Sequence, residues 1–186
     1  MSRLAVTDLS LNGLKLIERQ RLGDTRGFLS RLFCAEALVL AGWHKPIAQI
    51  NYTRTAQCGT IRGMHYQMAP HSEMKLVSCI RGEVWDVAID LRSNSPTFLQ
   101  SQVQTLSADN CCAMLIPEGF AHGFQAQTDD CELIYLHTAG YSAQAEAGLR
   151  FNDPRLAIPW PIPVSEISAR DQSHPLLTAQ YRGINV

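Results

Sequence analysis

An antiparallel β-sandwich or barrel, with a jelly roll as the leading version, is the fold this sequence predicts, and three observations predict it. From Pro46 to Thr138 nearly every segment is a short run rich in β-branched, aromatic and alternating apolar residues. Turn signals part most of these runs at short, even intervals: Arg81-Gly82, Ser93-Asn94-Ser95-Pro96, Ala108-Asp109-Asn110, Pro117-Glu118-Gly119 and Thr128-Asp129-Asp130. Helical signals are confined to brief stretches, so short peripheral helices are expected around an all-β body.

In chain order, Leu14 to Glu18 alternates as a short strand, and Asp24-Thr25-Arg26-Gly27 is a turn leading into a second, FLSRLFC. Ala35 to Ala41 is rich in Ala and Leu and is closed by Gly42, which fits one small helix. The strands PIAQINYTR, TIRGMHYQ, MKLVSCI, EVWDVAIDL, FLQSQVQTL, CAMLIP, AHGFQAQ and ELIYLHT follow. After Phe151 the character changes. Pro154, Pro159, Pro161, Pro163 and Pro175 break any long element, so this tail is expected to wrap the barrel, with a helical turn around Val164 to Arg170.

A chain of 186 residues, 46% hydrophobic, can bury one good core, and no repeat or linker interrupts it, so residues 1–186 read as a single domain. The formal charge of -1 gives no general reason to bind nucleic acid or an acidic membrane surface, and any anion site must be local. Six scattered cysteines without a C-x-x-C pair, mostly inside apolar runs, read as buried thiols in a reducing compartment. The first residues lack the apolar core of a signal peptide and no later run reaches membrane-span length. A cytoplasmic protein is expected.

The chemistry concentrates in Gly59 to Lys75, GTIRGMHYQMAPHSEMK. Alternation along a strand puts His65 on one side with Gly63 and Gln67, and Met64 and Tyr66 on the other. A histidine facing the interior of an all-β domain, with Arg62 and Lys75 close by, points to an anionic ligand and proton chemistry.

At GTIRGMHYQ, KLVSCIRGEVWDVAIDLR, SPTF, IPEGFAHGF, FNDPRLAIPWP and ISARDQSHP the chain resembles the dTDP-4-dehydrorhamnose 3,5-epimerase family, in order from about Asp24 to Pro175. The resemblance implies a cupin-type jelly-roll barrel, a homodimer, no cofactor and no metal. It also implies a nucleotide-diphospho-sugar substrate, a 4-keto-6-deoxyhexose epimerised at carbons 3 and 5. A ketone at carbon 4 acidifies the neighbouring C–H bonds because the enolate charge rests on oxygen. Such a reaction asks for a base on one face of the sugar, an acid on the other, and a donor at the ketone oxygen.

By resemblance, His65 is the base, a role that imidazole suits near neutral pH. Asp171 is the carboxylate that pairs with it and orients the ring. Lys75, followed by the apolar LVSCI and therefore expected to face inward, stands near the ketone oxygen. Tyr135 is the acid on the opposite face, with Tyr141 in the AGYS turn as its competitor. His122 is a pocket histidine near the sugar. Arg26 and Arg62 hold the pyrophosphate, joined by Arg170, and Gln49 and Asn51, alternating on one strand face, line the nucleotide end.

Two departures stand out. Arg31 occupies a position where many family members carry an acid, which leaves thymidine as the leading base and opens cytidine and guanosine diphosphate sugars. The HSEMK stretch, with His71 and Glu73, differs from the shortest family forms. Single-centre epimerases and ketoisomerases share the expected base. A metal-dependent cupin is the rival from another class, with His65, His71, Glu73 and His122 as donors. That fold usually places H-x-H on its first motif strand, and Gln67 holds the second position here. A non-catalytic sugar-nucleotide-binding cupin is the third reading, opposed by the joint presence of His65, Lys75, Tyr135 and Asp171.

Overall fold

A computed structural model describes residues 3–186. Thirteen strands and two short helices follow one another: β1 (Leu4–Asp8), β2 (Lys15–Arg19), β3 (Arg21–Asp24), β4 (Gly27–Ser30), α1 (Ala35–Val39), β5 (Gln49–Thr55), β6 (Ile61–Gln67), β7 (Lys75–Arg81), β8 (Glu83–Asp90), β9 (Ser101–Ser107), β10 (Cys112–Ile116), β11 (Phe120–Ala126), β12 (Cys131–His137), β13 (Glu146–Gly148) and α2 (Ala169–Ser173). One sheet has the order β1-β2-β10-β7-β12-β5, the other β13-β6-β11-β8-β9, and β3 and β4 form a separate hairpin. The pairings between these strands are antiparallel. This is the jelly-roll expectation, two facing sheets with crossovers between them.

Period-two alternation builds three apolar layers from the same strands. Val77 and Cys79 of β7, Met114 of β10 and Leu133 of β12 point between the sheets and meet Val84, Ala88, Leu106 and Phe124 from the other side. Their alternates Leu76, Ala113, Leu115 and Leu136 face outward under Leu38 of α1 and Trp43. On the other sheet Met64, Tyr66, Val87 and Ile89 face outward and are covered by Leu149, Leu156 and Ile184 of the tail. Burying each Leu, Ile or Phe in these layers contributes roughly 1.5–3 kcal/mol.

Gly42, at φ 103, follows α1, as the glycine stop predicts. The tail helix lies later than expected: Ile167 bridges Ile61 as an extended residue, and Ser168 caps α2 by accepting from the Asp171 N–H at 3.0 Å. Sheet pairing by Ile167 takes residues that local signals assign to a helical turn. The short strands β1, β3 and β13 add to the set read from sequence, and all six cysteines are free thiols.

Strand β6 carries a bulge that decides the site. On β11 two steps separate His122 from Phe124, while their partners on β6, His65 and Arg62, are three apart. The extra residue turns Arg62 toward the side that His65 faces, against simple alternation. Gly63 sits in the bulge at φ +130 with its α-carbon against Gly123, where a Cβ would lie 2.5 Å from the Gly123 Cα. A side chain cannot occupy that approach.

Candidate active site

A cavity of about 450 Å³ opens at one end of the space between the sheets. β6 lends it Arg62 and His65, and β11 lends His122; from the facing sheet come Lys75 of β7 and Tyr135 and His137 of β12. Because β6 and β12 belong to different sheets, His65 and Tyr135 stand on opposed walls. Asp171 and Arg170, from α2, close the side beside β6.

Local structure explains each placement. Lys75 shares its face of β7 with Val77 and Cys79, so alternation drives it inward, and its side chain is 9% exposed. Tyr135 and His137 share the inward face with Leu133. The Ser168 cap fixes the first turn of α2, and the buried Asp171 side chain reaches back to β6, accepting from the Gly63 N–H at 3.2 Å and meeting His65 Nε2 at 2.8 Å.

Burial works against the Asp171 charge, but the His65 hydrogen bond, the His65 charge, the Gly63 N–H and Arg170 together hold its carboxyl at about 2. An ionised carboxylate only accepts, so His65 Nε2 is the N–H that donates to it, and in the neutral ring the lone pair is then on Nδ1. Arg170 Nη2 lies 3.2 Å from the same nitrogen, and Arg170 Nη1 is bound to Glu146 at 2.9 Å. His174 packs edge-on to His65 with ring centroids 6.4 Å apart. Burial, then the neighbouring His65, lowers its pKa.

On the other wall Tyr135 is half-buried, set edge-on to His122 and stacked on His137 at centroid separations of 6.0 and 6.1 Å. Burial pushes its phenol above the usual tyrosine range, so it stays protonated at neutral pH. His122 Nε2 is 2.8 Å from Asp86 Oδ1, and burial raises the Asp86 carboxyl although His122 opposes the rise.

Of the residues expected from the sequence, His65, Lys75, Tyr135, Asp171, Asn51, Arg62, His122 and Arg170 share the cavity. Gln49 and Tyr141 line an adjoining chamber of about 140 Å³ that has Asn51, His65, Lys75 and His137 in common with it. Gln49 donates to Asn51 at 2.9 Å and accepts from the Tyr141 N–H at 2.9 Å, while the Tyr141 hydroxyl donates to Glu146. Tyr141 is 59% exposed; Tyr135 is the tyrosine of the main cavity. Arg26 is the exception. It stands on the β3–β4 hairpin, its side chain 87% exposed and paired with Asp24 at 2.6 Å, and it lines neither space. Its place in a turn between two short strands of a separate hairpin carries it away from the cavity of its own chain.

Asp86 and His137 were not read from the sequence, yet alternation marks both. Asp86 is the charged residue among the inward positions Val84 and Ala88, and His137 follows Tyr135 by two. The four donors weighed for a metal do not converge: His71 is exposed, Glu73 is bound to Lys75 and His137, and His122 to Asp86. Among the described residues His65, Asp171 and His174 bring three donor atoms within 4.8 Å, with the Arg170 guanidinium beside them.

The arrangement offers a free imidazole nitrogen on one wall, a phenol on the other and an ammonium between, which is what carbanion chemistry beside a ketone requires. Comparison with known proteins agrees. Residues 8–179 match the family described as dTDP-4-dehydrorhamnose 3,5-epimerase. An enzyme of that name from Sinorhizobium fredii is 38% identical over 170 residues, 91% of this chain and 87% of its own. The crystal structure of the Bacillus anthracis enzyme with TDP and PPi bound superposes with a TM-score of 0.90 at 38% identity, covering 94% of this chain and 99% of that one. The Legionella pneumophila enzyme, in complex with dTDP-4-keto-L-rhamnose, gives 0.88 at 38% identity over 93% and 92%.

Proposed function

The chain belongs to the dTDP-4-dehydrorhamnose 3,5-epimerase family, and on that premise we propose how its own side chains divide the work. It is an isomerase that inverts carbons 3 and 5 of a dTDP-4-keto-6-deoxyhexose in deoxysugar biosynthesis. The observation that carries the assignment of roles is the opposition of His65 and Tyr135 across one cavity.

His65 Nδ1 takes the proton from carbon 3 or carbon 5. The C–H pair becomes the C=C bond and the carbonyl π pair moves onto the ketone oxygen. Lys75 stabilises that oxygen, and Asp171 stabilises the imidazolium. Tyr135 then donates its proton to the opposite face of the same carbon as the oxygen pair returns, and solvent restores both groups. Arg62 and Arg170 grip the pyrophosphate, Gln49 and Asn51 take the nucleotide end, and His122 and Tyr141 contact the sugar.

We assign the 186 residues to one jelly-roll domain working as a homodimer in the cytoplasm, without nucleic acid or membrane partners. In support, the edge strand β5 exposes Ile50 and Tyr52, and the β3–β4 hairpin exposes Phe28 and Leu29. A second copy covering these surfaces would also bring Arg26 toward a cavity. No helix among the described residues is long and apolar enough to cross a membrane.

The test is incubation with dTDP-4-keto-6-deoxyglucose in heavy water. Deuterium should enter carbons 3 and 5 with inversion at both. Exchange at neither carbon would overturn the assignment.

A further inference from the structure

Two buried groups beside Lys75, Glu73 and His137, have no part in the mechanism above. Glu73, just before β7, puts Oε1 3.2 Å from Lys75 Nζ, and its Oε2 accepts from His137 Nδ1 at 2.8 Å. His137 is the cross-strand partner of Lys75, so both point inward side by side. The three side chains are only 9–10% exposed. Burial opposes the Glu73 charge, but the His137 hydrogen bond and the Lys75 charge prevail and keep its carboxyl below the usual range. Lys75 also donates to the His65 carbonyl at 3.4 Å.

We propose that Glu73 and His137 are positioning residues that hold the Lys75 ammonium where negative charge develops on the ketone oxygen, an inference that rests on Lys75 standing there. An ammonium has three protons on a flexible four-carbon arm. Here one goes to Glu73 and one to the His65 carbonyl, which fixes the arm and leaves the third for the substrate. His137 has its own task. A free carboxylate would approach the ammonium with both oxygens and draw it out of the cavity. By engaging Oε2, His137 leaves Lys75 a single oxygen at 3.2 Å, longer than a tight charge-assisted bond of about 2.8 Å.

The experiment is a cycle of Lys75→Met, Glu73→Gln and the double variant, with His137→Ala and His137→Asn beside it, each measured for kcat, KM and dTDP binding. Glu73→Gln keeps the shape and should lower kcat about 10- to 100-fold with KM within about threefold. In the Lys75→Met background it should cost nothing further, which a merely structural role would not produce. His137→Ala should resemble Glu73→Gln, and His137→Asn, whose amide can donate to Glu73, should recover most of the rate. If Glu73→Gln does not fold, the two His137 variants decide in its place. A Glu73→Gln enzyme at full rate, an equal loss with and without Lys75, or no difference between the His137 variants would overturn the proposal. Full activity of Lys75→Met would instead remove Lys75 from the ketone oxygen, and the proposal with it.

Discussion

Asp171→Asn tests how the proposed base is held. The carboxylate accepts from His65 at 2.8 Å and from the Gly63 N–H at 3.2 Å, its side chain is 3% exposed, and it titrates at about 2. Against an ordinary aspartate that gap is worth roughly 2–3 kcal/mol, on the order of 60-fold, shared among His65, Gly63 and Arg170. Asparagine keeps the shape but offers no charge to the imidazolium that forms when His65 takes a proton. The expected result is a kcat reduced about 10- to 60-fold, and toward 10⁴-fold where the amide holds the ring in the wrong tautomer. Affinity for dTDP should stay within about threefold, because Arg62 grips the pyrophosphate from β6 and Arg170 keeps its pairing with Glu146 at 2.9 Å. The assay is the initial rate of deuterium entry at carbons 3 and 5. Because folding depresses this carboxyl, its stabilising contribution is complete above the ordinary aspartate pKa and is lost as pH falls through about 2. The melting-temperature gap between the unaltered and Asn proteins should therefore hold at pH 7 and close between about pH 4 and 2. A variant with kcat within about threefold of the unaltered enzyme would refute the orienting role.

His65→Ala should lose turnover by about 10²- to 10⁴-fold or more while still binding dTDP, and retained exchange at either carbon would remove the base. Tyr135→Phe should slow reprotonation and leave one centre uninverted, read by NMR of the product; unchanged rate and stereochemistry would pass the acid role to Tyr141 or water. Gly63→Ala forces a Cβ to within 2.5 Å of the Gly123 Cα at φ +130 and should cost about 1–3 kcal/mol in urea unfolding. A cost below about 0.5 kcal/mol would show that the bulge can relax.

Most of the strand set was legible because alternation is local. The inward turn of Lys75 follows from the apolar run behind it, and Met64 and Tyr66 lie opposite His65 as the period requires. The pairing of His65 with Asp171, 106 residues apart, has no local signal, and the family motif at ISARDQSHP supplied it. Arg26 carries the motif but stands apart from the cavity, since a motif names a residue without fixing where the hairpin that bears it lies. The tail helix was displaced because Ile167 found a sheet partner that no neighbouring residue announces.

Taken alone, the order of amino acids determined the all-β class, the inward faces of the strands and the chemical groups available. Their convergence was decided only in three dimensions. Arg62 reaches the His65 side because two glycines meet backbone to backbone, and Glu73 meets His137 because β7 and β12 pair in one register. A residue's own backbone sets which way it points, whereas its partner is chosen by packing among segments far apart in the chain.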